Sequence, residues 1–180
     1  PKGFEVEINS LNVDGGNVVQ SDTHVIMTER VFIENKELSS KSVLLKLNKV
    51  FEGKEIIIIP TEEGDLFGHS DGMVRFKDNN TVLVNDYWKA NYEKPFVEAV
   101  HAPLEKAGLE IVLIPYHPSN SRRKVPPATG LYVNFLETNN ALYLPQFGIK
   151  QDEYVLSFFS NLYKPKKIIP INCKDLSEMR

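Results

Sequence analysis

The sequence has a single cysteine, Cys173, in 180 residues. An internal disulfide is therefore excluded, and the chain fits a reducing, cytoplasmic compartment. Long apolar runs are missing too. None approaches the ~20 residues a membrane-spanning helix needs, and Pro1-Lys2-Gly3-Phe4 does not have the plan of a signal peptide. Charge of one sign is scarce: a net charge of -3 gives no bulk attraction for nucleic acid or an anionic membrane. Two short basic clusters, Ser121-Arg122-Arg123-Lys124 and Lys164-Pro165-Lys166-Lys167, lack the interleaved aromatics of a nucleic-acid platform and read as solvated loops. No His, Cys, Asp and Glu group has metal-ligand spacing, so no metal or other cofactor is implied. A start without methionine and an end at Ser177-Glu178-Met179-Arg180 predict a piece of a longer protein.

What is present is enough apolar content, 42% of residues, to bury the core of one domain. One pattern returns three times. β-rich segments ending in proline occur at Glu55 to Pro60, Glu110 to Pro115 and Lys167 to Pro170, with the prolines 55 residues apart. Each run is nearly continuous in apolar residues, which predicts a strand buried on both faces and closed by its proline. An amphipathic stretch precedes each strand: Val43, Leu44, Leu47, Val50 and Phe51; Phe96, Val97, Val100 and Leu104; Tyr154, Val155, Phe158, Phe159 and Leu162. A hairpin precedes each helix, over residues 17–28, 73–85 and 132–145, turning at Ser21-Asp22, Asp78-Asn79-Asn80 and Thr138-Asn139-Asn140. The fold class is α/β: hairpin, helix, strand, in modules at about 11–60, 68–115 and 130–171 that cannot bury their apolar faces alone.

Gly68-His69-Ser70-Asp71-Gly72 falls at the mouth of the second hairpin, where α/β folds place chemistry. If residues 69–71 are extended, His69 and Asp71 face the same way. The flanking glycines let backbone approach a ligand. The bland alternative is a turn whose histidine is satisfied by a nearby aspartate. Equivalent mouths carry Asp14-Gly15-Gly16-Asn17 and Tyr132-Val133-Asn134-Phe135. Alone, these read as a glycine turn and an in-strand amide; together they suggest one central site fed by all three modules.

In combination and order, the segments GGN after Asp14, TER (28–30), GHSDGMVRF (68–76), NTVLVNDY (80–87), YVNF (132–135) and LPQFG (144–148) resemble the agmatine deiminases and Porphyromonas-type peptidylarginine deiminases, guanidine-modifying enzymes of the pentein superfamily. The resemblance implies a pentein-type α/β propeller of ββαβ modules, with about three of five present. It implies hydrolytic deimination of an arginine-like guanidine, most simply agmatine to N-carbamoylputrescine and ammonia, with peptidylarginine or free arginine as the alternative substrate. By the same resemblance His69 is the general acid and base, Asp71 and Asp14 grip the guanidinium, and Asn134 supports the catalytic group, with Gly15 and Gly16 beside the substrate. The family more often has glutamate at the position of Asp14.

The nucleophile of that family is a cysteine after a glycine-rich run beyond the position of Arg180. Cys173 comes too early and reads as a small core thiol. An upstream Arg-Asp pair followed by Gly-Pro is also missing. The expectation is a deiminase piece inactive by itself, associating with itself or with the rest of the ring, or else a guanidinium-binding module without catalysis. Arg75 reads either as a partner for a substrate carboxylate or as an edge-strand arginine. His24 and His101 read as surface groups, Trp88 as a wall of the site or a packing residue, and the loop at 116–129, which holds His117, as a lid.

Overall fold

The computed structural model describes residues 10–119 and 127–178. The first module holds strands β1 (Val19–Gln20) and β2 (His24–Thr28), helices α1 (Arg30–Glu34) and α2 (Ser40–Val50), and strand β3 (Glu55–Ile59). The second has β4 (Val74–Phe76), β5 (Thr81–Asn85), α3 (Lys94–Lys106) and β6 (Glu110–Ile114). In the third are β7 (Leu136–Glu137), β8 (Ala141–Gln146), α4 (Asp152–Leu162), β9 (Lys167–Asn172) and the short α5 (Lys174–Glu178). Each module forms its own three-stranded sheet, β1-β2-β3, β4-β5-β6 and β7-β8-β9. The first two strands pair antiparallel as a hairpin. The third returns parallel to the second, as a helical crossover requires.

The hairpin strand in the middle of each sheet is the buried one, which corrects the sequence reading. β5 is buried at all five positions and β2 at four of five, whereas β3, β6 and β9 begin exposed and β9 ends exposed. The last strand lies at the edge of its sheet, so only the middle strand has neighbours on both sides. Pro170 falls inside β9 instead of closing it, a position an edge strand tolerates because no ladder partner waits for its missing N–H.

The apolar run EIIII has another cause. Period-2 alternation sends successive residues of one strand to different cores. Ile57 and Ile59 join Ile26 against Val74, Val82, Val84, Val97 and Leu104 of the second module. Ile56 and Ile58 turn the other way, onto Val25, Met27, Val43 and Leu47 within the first module. β5 does the same: Val82 and Val84 face the first module, while Leu83, with Ile114 from β6, packs into Leu142, Leu144, Val155 and Phe159 of the third. The three modules are therefore one cooperative body, each core borrowing a face from its neighbour.

Local chemistry sets the helix starts. Ser39 caps α2 by accepting from Ser42 N at 3.2 Å, and Pro95 occupies the first turn of α3. Asp152, buried at the start of α4, accepts from the N–H groups of Phe147, Gly148 and Ile149 and from the Tyr132 hydroxyl at 2.6 Å. α1 has no counterpart in the sequence reading, being too short for a helical period to show, whereas α5 is the helix-like segment expected at the end of the chain. The third hairpin is shorter than expected: Tyr132 and Val133 lie buried in a turn, and Asn134 precedes the strand rather than lying in it.

Candidate active site

A cavity of about 480 Å³ opens where the modules meet, beyond the C-terminal ends of β3 and β6. It is lined by the loop between β3 and β4 (62–67, 69, 71 and 72), Tyr92, the exit of β6 (Tyr116, Pro118 and Ser119), and third-module residues including Leu131 and Asn134. That volume suits a small organic ligand, and the ends of parallel strand pairs are where such ligands bind.

A buried asparagine anchors the turn that carries His69 and Asp71. Asn17, 1% exposed, accepts through Oδ1 from Thr28 N at 2.8 Å and from Ser70 N at 3.3 Å. Ser70 donates its hydroxyl to Ile26 O at 3.2 Å, and Thr28 donates its own to Gly68 O. The DGG mouth and the HSD mouth are thereby tied to the same central strand, β2. Gly68 takes φ +66, and a side chain there would run into Thr61, so only glycine fits.

Residues 69–71 are not uniformly extended, contrary to expectation. His69 is (φ -87, ψ 143), but Ser70–Gly72 forms a single 3-10 turn. The turn puts Ser70 into the protein and leaves both His69 and Asp71 on the cavity. The His69 ring lies on Gly16: a Cβ at Gly16 would sit 2.4 Å from His69 Nδ1. His69 Nε2 is 3.5 Å from Asp14 Oδ2, while Asp14 Oδ1 accepts from Gly16 N at 3.1 Å. Phe67 covers the ring from the solvent side at 5.7 Å between centroids. Burial lifts the Asp71 carboxyl above its ordinary value; His69 opposes the shift, and the charges of Asp14 and Asp65 add to it.

The structure thus brings Asp14 and Gly16 against His69, with Gly15 in the same turn; His69, Asp71 and Asn134 line the cavity, whereas Asp14, Gly15 and Gly16 sit behind the His69 ring and do not. Among the described residues no hydrogen bond joins Asn134 to His69 or Asp71. Arg75 is elsewhere: its Nη1 donates to Phe135 O at 2.5 Å and its guanidinium sits 4.2 Å from the Phe135 ring centroid, riveting the second module to the third. Trp88 is 44% exposed and does not line the cavity. His24 and His101 are half-buried, His24 stacking on Phe76. Cys173 is half-buried against the third-module core, as a core thiol would be. Of the 116–129 loop, both ends line the cavity, while 120–126, with the first basic cluster, lies outside the described residues. Among the described residues no cluster could hold a metal ion, and no helix is long and apolar enough to cross a membrane.

The sequence reading missed the opposite wall. Glu62 accepts from three hydroxyls: Tyr87 at 2.9 Å, Tyr116 at 2.6 Å and Tyr92. Burial raises its carboxyl above its ordinary value, against the three phenol bonds. Its hydroxyl donors come from positions 25, 30 and 54 residues away, so no local signal marked it.

A family model for Porphyromonas-type peptidyl-arginine deiminase matches residues 2–180. No curated protein matches the sequence closely enough to count as a relative. Among solved structures, a cysteine-to-serine variant of the C. jejuni agmatine deiminase with substrate bound superposes at a TM-score of 0.77 and 22% identity, over 96% of this chain and 54% of that one. A Porphyromonas gingivalis protein described as an arginine deiminase gives 0.76 and 20%, over 94% and 54%. Agmatine deiminase of Enterococcus faecalis gives 0.66 and 20%, over 91% and 53%. The chain spans about half the length of these structures. Their likeness shows the fold, a pentein-type α/β propeller of which about three modules are present here. With the HSD and DGG mouths meeting at the His69 ring and the family model covering residues 2–180, this protein belongs to the Porphyromonas-type peptidyl-arginine deiminase family.

Proposed function

We propose that the protein takes part in hydrolytic deimination of an arginine-like guanidine, with agmatine as the simplest substrate. The observation that carries this reading is the placement of His69 between Asp14, 3.5 Å away, and Asp71 on the cavity wall. A guanidinium is a planar cation with fixed N–H donors, which paired carboxylates hold strongly once water is excluded. Asp71 and Asp14 supply such a pair. A thiolate, contributed by residues outside this chain, attacks the guanidinium carbon. The C–N bond breaks as His69 gives its proton to the departing ammonia, leaving a thiouronium on sulfur. His69 then takes a proton from water, whose oxygen adds to the same carbon. Loss of the thiolate releases the ureido product. One guanidinium and one water thus give one urea derivative and one ammonium ion.

The second reading is a guanidinium-binding module without catalysis. It is favoured by the fact that no cysteine lines the cavity among the described residues, Cys173 being packed into the third-module core. Ammonia release by the protein expressed from its complete gene, measured with agmatine, free arginine and an arginine-containing peptide, separates the readings. Release with agmatine, abolished by Asp71→Asn, supports the first. Binding of agmatine without release supports the second.

A further inference from the structure

The cavity has two acidic ends, and only one of them is used by the chemistry above. At the other end Glu62 is mostly buried, and among the described residues it forms no ion pair. Its three bonds are all from phenols, two to Oε1 and one to Oε2. A carboxylate offers about four acceptor directions, so one on Oε2 remains. Tyr92 and Tyr116 line the cavity beside it, and donation to a carboxylate enriches their rings in electron density. Among the described lining residues there is no lysine or arginine, while Glu62, Glu63, Asp65 and Asp71 all contribute. Asp65 joins Glu62 to His69: its N–H donates to Glu62 O at 3.2 Å and its Oδ2 accepts from His69 N at 3.3 Å. Leu66, Phe67 and Leu131 supply apolar lining.

Resting on the deiminase reading, we propose that Glu62, framed by Tyr92 and Tyr116, is a specificity-determining residue that binds the ammonium at the far end of a doubly cationic guanidine. Each part of the wall has a task. The carboxylate accepts a charge-assisted hydrogen bond from the ammonium, and the tyrosine faces add cation–π attraction in a partly desolvated pocket. The Leu66, Phe67 and Leu131 surface covers the methylenes. A substrate whose tail carries a carboxylate meets Glu62, Glu63 and Asp65 and is turned away. A buried carboxylate without a cationic partner costs stability in the empty protein, and an arriving ammonium removes that cost.

The test uses the protein expressed from its complete gene and three guanidines that differ only in the tail: agmatine, 1-butylguanidine and 4-guanidinobutyrate. In the wild type, kcat/KM is expected to fall at least tenfold from agmatine to butylguanidine, and further for guanidinobutyrate. Glu62→Gln, which keeps the size and one acceptor oxygen but removes the charge, should lower kcat/KM for agmatine at least tenfold while leaving butylguanidine within about threefold. Tyr116→Phe should reduce the same preference by a smaller factor. An equal loss for agmatine and butylguanidine in Glu62→Gln, or a wild type that does not discriminate among tails, overturns the assignment while leaving the deiminase reading intact. A wild type that turns over none of the three overturns both.

Discussion

His69 Nε2 and Asp14 Oδ2 stand 3.5 Å apart, although they come from the mouths of different modules. Nothing in either loop alone sets that distance. It is set by Asn17, which holds Thr28 and Ser70 on one amide oxygen, and by Gly16, whose missing side chain is the space the imidazole occupies.

Gly16→Ala puts a methyl 2.4 Å from His69 Nδ1 and 3.0 Å from Cε1. The ring must swing away from Asp14, and a displacement of about 1 Å at a reacting group costs roughly 10²-fold in rate. Steady-state kinetics with the best guanidine substrate should show that loss in kcat, with a circular dichroism spectrum like the wild type's.

Asn17→Ala leaves the buried N–H groups of Thr28 and Ser70 without their side-chain acceptor. Each such loss costs about 1–3 kcal/mol, so the variant should be destabilised by about 3 kcal/mol in urea unfolding. An effect within experimental error of zero would mean that Asn17 does not hold the two loops.

Glu62 titrates above its ordinary value in the folded chain because burial disfavours the carboxylate. A raised acid binds protons more readily folded than unfolded. The stability it contributes is therefore complete below its ordinary value of 4.5 and is lost as pH rises through the raised one. Glu62→Gln should accordingly melt higher than the wild type near pH 7.5 and about level with it near pH 4. Scanning calorimetry at the two pH values checks this; a variant that is less stable near neutral pH contradicts it.

Arg75→Ala removes a charge-assisted hydrogen bond to Phe135 O and a cation–π contact with the Phe135 ring. Together these are worth about 2–3 kcal/mol. Thermal unfolding should register the loss, and substrate preference should stay unchanged because Arg75 does not line the cavity.

Much of the fold was legible because helix and strand periods alternate along the chain and the prolines after β3 and β6 recur on schedule. The burial of the strands was not. EIIII looks like a strand enclosed on both faces, and only the tertiary arrangement reveals an edge strand whose alternate isoleucines serve two cores. His69 and Asp71 were legible through the motif that holds them, although the turn that presents them was not. Glu62 was not legible in the sequence. Its partners lie 25, 30 and 54 positions away, so no local pattern could announce the cluster.

The guanidine chemistry proposed above requires Asp71, with Asp14, to grip a guanidinium beside His69. Titration calorimetry of agmatine into the wild type and Asp71→Ala, each expressed from the complete gene, tests it directly. Removing a charged partner from a buried ion pair costs about 3 kcal/mol or more, so affinity should fall at least about 100-fold in Asp71→Ala. Equal affinity in the two proteins would contradict the assignment of the cavity.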